Sequence, residues 1–287
     1  MFIVDTHMHT SPGEPPAVSW TPPPHIAERI RTNLAPFAGV QGEVTTTAED
    51  HLRAMDEAGV AAAVLVQWHR DGPPVYELEW REREPGRFDV VYPVDPAAPR
   101  AAEDLRYWLG ERGVSGIRLF SNFLTQRNSD LLSLDSPECR AMIAVAREAG
   151  ASVAVQAPPE ELPRIAHVFA ENPDVTFILD HLSGASSAEA LIALALHDNL
   201  RLKFSSGVLI THGEGPDPRS AQRAMLRGLV DGFGVERLMW GSNYPQTRVP
   251  LRLLVEHGLA VLDFLPAADV ERVMGGNARG LWPFAAP

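Results

Sequence analysis

Eight short apolar runs rich in β-branched residues recur along the chain, and a longer stretch of helical period separates each from the next. They are Phe2–Thr6, Ala61–Val66, Phe88–Val94, Gly116–Phe120, Ala151–Gln156, Val175–Asp180, Arg201–Ser205 and Arg237–Gly241. Alternation of this kind is the signature of βα units, and several runs are apolar almost without interruption, as strands covered on both faces are. Eight such units predict a single closed α/β domain over residues 1–287, a (β/α)8 TIM barrel. A chain of 287 residues has room for one barrel or for two smaller domains. No low-complexity linker and no repeat of solenoid length divides it, which favours one.

The helices between the runs carry their own start and stop signals. Thr47 stands three residues before Asp50 in a capping-box arrangement, and Gly59 closes that segment. Ser136-Pro137-Glu138 opens another helix, with Met142, Ile143 and Ala146 on one face and an end near Gly150. The next begins after Pro158-Pro159 and stops before Asn172-Pro173. One connection is too long for an ordinary βα loop: residues 10–45 are Pro-rich, running through Ser11-Pro12-Gly13-Glu14-Pro15-Pro16 and Trp20-Thr21-Pro22-Pro23-Pro24. An insertion after the first strand of a barrel falls on the face where loops follow strand ends. This segment is therefore expected to act as a lid, with Trp20 and Phe37 as apolar cover.

Composition narrows the classes of partner. A net charge of −12 and a pI near 5.3 set the chain against phosphate backbones and anionic lipid, so neither nucleic acid nor membrane is expected. Cys139 is the lone cysteine, which leaves no intrachain disulfide and no cysteine metal cluster. With neither a basic, apolar leader nor a run of 18 apolar residues, a cytoplasmic location is expected. A homo-oligomer is compatible with the sequence.

Chemistry gathers at the ends of three runs. In Val4-Asp5-Thr6-His7-Met8-His9, strict alternation puts Asp5, His7 and His9 on one face. Two imidazoles at the carboxyl end of a first barrel strand can present nitrogens to one ion or one substrate oxygen, with Asp5 orienting them from below. Thr176 to Leu179 leads into Asp180-His181, and Leu238-Met239-Trp240-Gly241 leads into Ser242-Asn243-Tyr244-Pro245. Both put polar groups where barrel enzymes place theirs.

These residues resemble the amidohydrolase-related branch of the amidohydrolase superfamily, which includes lactonases and nonoxidative decarboxylases. The resemblance runs through Asp5-Thr6-His7-Met8-His9, Gly116-Ile117-Arg118-Leu119, Leu179-Asp180-His181, Lys203-Phe204-Ser205-Ser206-Gly207, Trp240-Gly241-Ser242-Asn243-Tyr244-Pro245 and Gly276-Asn277-Ala278. Metal-dependent members have a histidine at the fifth strand end, where this chain has Gln156, and an aspartate at the eighth, where it has Asn243. A carboxamide is a neutral, poor ligand and does not titrate, so Asn243 cannot serve as a general base. The resemblance leaves two arrangements open: one Zn2+ or other divalent metal held by His7, His9 and His181, or a metal-free site.

The activity implied is hydrolysis of a lactone or cyclic ester bearing a carboxylate. His181, or His69 under the lid, would transfer the proton, and Asn243 would complete the catalytic set. Arg118, Gln156, Lys203, Tyr244 and Trp20 are the expected substrate-binding residues for a small anionic molecule. Arg118 has a competing reading as an internal ion pair with Asp5 or Asp180, and Lys203 as the neutraliser of an interior aspartate. Tyr92 and Tyr244 are candidate donors to an oxyanion. His25, His51, His167, His197, His212 and His257 are expected to be structural or solvated. Nonoxidative decarboxylation of an aromatic or enol acid is the alternative reaction, and a binding barrel without catalysis is the alternative class.

Overall fold

The computed structural model describes residues 1–10, 20–27, 46–67, 73–122, 132–212 and 217–284. Most of the Pro-rich segment, with Phe37, and the Trp68-His69-Arg70 stretch lie outside the described residues, as does any lid they form. Eight parallel strands follow one another in sequence order around a single sheet. They are β1 (Ile3–Met8), β2 (Val60–Val66), β3 (Phe88–Pro93), β4 (Gly116–Phe120), β5 (Ser152–Gln156), β6 (Phe177–Leu179), β7 (Leu200–Ser205) and β8 (Leu238–Gly241). Each of the eight predicted runs overlaps one of them, and β1, β2 and β7 extend beyond their runs by one or two residues. Sequential order with helical crossovers is what a right-handed βα repeat produces.

The first and last strands meet. Met8 bridges Tyr244 in parallel fashion, His9 N donates to Tyr244 O at 2.9 Å and Asn243 N donates to His7 O at 2.9 Å. Lower down, Thr6 Oγ1 donates to Trp240 O at 2.6 Å. Gly241 makes this approach feasible, because a Cβ there would sit 3.0 Å from His7 Cβ. At the opposite end Gly275 lies so close to Phe2 O that a Cβ would stand 2.0 Å from it.

Two layers of core result. Inside the barrel Val4, Val64, Val66, Val91, Ala154, Ile178 and Met239 pack together, and the C-terminal turn plugs one end with Trp282 and Phe284. Outside, Leu65, Val90, Ile117, Val153, Phe177, Leu202 and Trp240 belong to the layer shared with the helices. The strand alternation thus sorts residues between an inner and an outer core. β1 departs from it. Its pairing with β2 shifts register between Ile3 and Val4 and again between Asp5 and Met8, so Val4 and His7 both reach the interior despite their odd spacing.

The helix signals read from the sequence are realised. Thr47 caps the helix Ala48–Ala58 with a full capping box, and Gly59 ends it in the left-handed region at φ 70°. Ser136 Oγ accepts from Cys139 N at 3.2 Å at the head of Pro137–Glu148. Among the described residues no helix is long and apolar enough to cross a membrane.

Candidate active site

At the carboxyl mouth of the barrel side chains of β1, β4 and β7 converge on Asp180, the residue that follows β6. This carboxylate has no exposed surface. Its Oδ1 takes Lys203 Nζ at 2.8 Å, and its Oδ2 lies 2.8 Å from Arg118 Nε. His7 Nδ1 stands 3.7 Å from Oδ1. Burial pushes the Asp180 carboxyl upward, but the two cations pull it well below the usual carboxylate range. Lys203 is equally buried, and burial lowers its ammonium pKa. The interior ion-pair reading therefore holds for Lys203, which neutralises Asp180 and is not placed to hold a substrate carboxylate. Arg118 also pairs with Asp180: its Nε serves the carboxylate, while its Nη2 donates to Gln156 Oε1 at 3.0 Å and reaches within 3.5 Å of His181 Nε2.

The imidazole tautomers follow from their partners. His9 Nδ1 is 2.7 Å from Val66 O, an acceptor only, so Nδ1 carries the proton and Nε2 the lone pair. His7 Nε2, 3.2 Å from that lone pair, is the donor, which leaves His7 Nδ1 to accept from Lys203 Nζ at 3.4 Å. The side chain of Asn243 also bonds His9. Asp5 does not touch the imidazoles. Its Oδ1 accepts from His7 N at 3.0 Å and from Ser242 N at 2.8 Å, so it fixes the backbone of β1 against β8. Burial raises its carboxyl pKa to about 6.

His181 reaches the site through an unusual turn. His181, Leu182, Ser183 and Gly184 all adopt positive φ, at 54°, 52°, 53° and 69°, and the strand ends one residue earlier than the apolar run suggests. Only the last is a glycine. L-residues pay roughly 1–2 kcal/mol each for this region, and buried Ser183 also leaves its hydroxyl without a partner. Ser183→Gly is accordingly expected to stabilise the fold by about 1 kcal/mol, roughly 2 °C in Tm, after the larger chain entropy of glycine is deducted. Ser183→Ala, which keeps the strain, should gain less. A thermal melt in which S183G falls below wild type would contradict the strain argument.

Burial lowers the pKa of His9 and His181 to about 3, that of His51 to about 4, and that of His7 well below its ordinary 6.5. The unfolded chain binds protons on these rings below pH 6.5 that the folded chain refuses, so their contribution to stability is complete above pH 6.5 and is lost on acidification. Asp5 and Glu77, the latter raised to about 7 by burial, act in the opposite direction over the same range. Together with His257, which burial lowers to about 4, these rings outweigh the two carboxyls, and unfolding near pH 5.5 should take up about three protons. Urea titrations between pH 7.5 and 5 measure this slope; stability that is flat or rises toward pH 5 would contradict the burial of neutral rings.

Other expected residues are not brought to the cluster. The Trp20 indole N–H donates to Tyr107 Oη at 2.8 Å and its ring is covered by Arg112, against the helical layer after β3. The Tyr244 ring packs on His51, 5.5 Å between centroids, and its backbone carbonyl, not its hydroxyl, serves β1. Tyr92 faces the outer core near Trp108. His51 is structural as expected, donating to His9 O at 2.8 Å. One site residue was not singled out beforehand: Ser205 Oγ lies 2.7 Å from His181 Nδ1. The inward parity it shares with Lys203 along β7 was the available signal.

A family model described as amidohydrolase matches residues 4–284. The chain belongs to the amidohydrolase family. Among curated proteins this amidohydrolase is 32% identical over 99 residues to the L-fucono-1,5-lactonase of Burkholderia ambifaria, a match covering 32% of this chain. It spans about a third of that relative's length (33%). Among solved structures it is similar to a probable 2-pyrone-4,6-dicarboxylic acid hydrolase from Acinetobacter baumannii with citric acid bound (TM-score 0.74, 18% identity, covering 99% of this chain and 100% of that one). It is likewise similar to an amidohydrolase from Burkholderia multivorans with bound zinc (TM-score 0.73, 19% identity, 99% and 100% covered). At such identities the likeness is one of fold.

The donors of this amidohydrolase do not fit the zinc set expected from His7, His9 and His181. His7 and His9 bring their Nε2 atoms to 3.2 Å, a spacing that two ligands of one ion also have, but His181 gives Nδ1 to Ser205 and its Nε2 faces the Arg118 guanidinium. The eighth-strand position offers only the amide of Asn243. Among the described residues no three His, Cys, Asp or Glu side chains form a group that could hold a metal ion. A divalent ion here would also stand beside Arg118 and Lys203 with Asp180 already committed to both.

Proposed function

We propose that this amidohydrolase opens a lactone that carries a carboxylate, using its own side chains for proton transfer and charge stabilisation. The observation that carries the reading is the pairing of a guanidinium with an unprotonated imidazole, Arg118 Nη2 and His181 Nε2 at 3.5 Å, in a buried mouth. Arg118 binds the anionic end of the substrate. His181 accepts a proton from the attacking water and returns it to the ring oxygen as the acyl C–O bond breaks, and Asn243, part-exposed at the end of β8 and bonded to His9, donates to the oxyanion formed at the carbonyl in between.

The carboxylate has a second role. Burial first, then the positive charges of Arg118 and Lys203, depress His181 despite the opposing charge of Asp180. An anion seated on Arg118 offsets part of that field and makes the imidazole a stronger base at the moment it is needed. Substrates without the carboxylate should therefore lose kcat as well as affinity. The lactonase and hydrolase relatives support the reaction class, and the zinc-bound neighbour supports testing added zinc in the same assay.

The test is a panel of matched lactones with and without a carboxylate, followed by proton release and product analysis. Ring opening that favours the carboxylate series supports the proposal. Carbon dioxide release from an aromatic or enol acid without ring opening would replace it with decarboxylation, and tight binding without turnover would replace it with a binding barrel.

A further inference from the structure

We infer that Ser205 is a positioning residue that locks His181 in the tautomer with the proton on Nδ1, leaving the Nε2 lone pair aimed at the mouth. The inference rests on the proposed function only for its catalytic consequence. Its structural part stands on two contacts of the His181 ring.

Arg118 has donors and no acceptor, so the nitrogen facing it, His181 Nε2, is favoured without a proton. A neutral ring then carries its proton on Nδ1, and Ser205 Oγ at 2.7 Å is the group that receives it. The reverse arrangement, with the hydroxyl donating to Nδ1, would place an Nε2–H against a guanidinium N–H and leave two buried donors opposed. Ser205 is 1% exposed and cannot easily be replaced by water.

The turn around Ser205 is held from several sides. Ser205 pairs with Gly241 across the β7–β8 ladder. The neighbouring Ser206 hydroxyl accepts from Trp240 Nε1 at 2.9 Å and lies 3.2 Å from His257 Nδ1, so it is committed away from His181. Gly207 N donates to Ser242 O at 3.0 Å, and a Cβ at Gly207 would come within 2.6 Å of that oxygen. His181 is set from its own side by its left-handed backbone. Ring and hydroxyl are thus each delivered by a constrained segment, which is what a tautomer lock requires.

The experiment combines tautomer and rate measurements on the full-length chain. Nitrogen-15 histidine spectra, with the His181 signals assigned by their loss in H181N, should show Nδ1 protonated and Nε2 bare in wild type, and a mixture of tautomers in S205A. Ser205→Thr keeps the hydroxyl and should preserve the wild-type pattern. On a lactone that wild type opens, S205A should lose roughly ten-fold or more in kcat with KM little changed, and S205T should recover most of it. A proton on Nε2 in wild type, or an S205A spectrum identical to wild type, would overturn the inference. So would an acyl adduct on Ser205 by mass spectrometry, which would make the serine a nucleophile. Should the tautomers behave as expected while no lactone is opened, the lock stands and the proposed reaction alone fails.

Discussion

Asp180→Asn is expected to destabilise the fold by about 3–5 kcal/mol, the usual result of removing one partner from a buried ion cluster. The substitution preserves shape and leaves Lys203 and Arg118, 0% and 5% exposed, without the carboxylate they share, with only the more distant charge of Asp5 bearing on Lys203. Water cannot solvate either cation where it stands. Lysine can escape by losing its proton, in keeping with its lowered pKa, whereas arginine cannot. A drop on the order of 10 °C in Tm is expected for a chain of this size. The double variant Asp180→Asn with Lys203→Met removes one of the stranded charges and should recover part of the loss. Denaturant midpoints for the two variants measure the coupling, and a single variant as stable as wild type would mean that the cluster is not the electrostatic keystone of the interior.

His181→Asn should lower kcat/KM by roughly 10²–10⁴ on a carboxylate-bearing lactone that wild type opens, the range for loss of a general base. Asparagine is the informative replacement because it tolerates the left-handed backbone at φ 54° better than alanine or glutamine, so the turn is kept. Arg118 still pairs with Asp180 and Gln156, and it still receives the anion. The loss should therefore fall on kcat, with KM and Tm close to wild type. A variant that retains activity would transfer the base to another group, and one that loses affinity alone would make His181 a binding residue.

Much of this arrangement is legible in the chain before it folds. The eight runs place all eight strands, and Thr47, Gly59, Ser136 and Pro137 mark helix ends where the structure has them. Strand-end polarity picks out His7, His9, Arg118, Gln156, His181, Lys203 and Asn243, all of which converge. Local signals suffice because face, cap and strand end are properties of a few consecutive residues.

What was not legible shares a cause. Alternation puts His7 and His9 together, as found, but the role of Asp5, which bonds the backbone of His7 and Ser242 and not an imidazole, depends on how β1 meets β8. Nearness to strand ends does not encode that the Trp20 indole bonds Tyr107 under Arg112 or that the Tyr244 ring packs on His51. The nitrogen directions at His7, His9 and His181, which decide what these rings can hold, are encoded by no spacing.

What the sequence alone determined is therefore the number and order of the βα units and the polar residues at the ends of their strands, since these depend on periodicity and on short-range backbone preferences. What only the tertiary structure decided is which of those groups face each other: Asp180 between Lys203 and Arg118, His7 against His9, and Ser205 beneath His181. Such pairings, with that of His7 and Lys203 across 196 positions, join strands that are distant in sequence. They exist because closing the sheet sets the stagger of every strand at once, and that angular relation is carried by the whole barrel and by no segment of it.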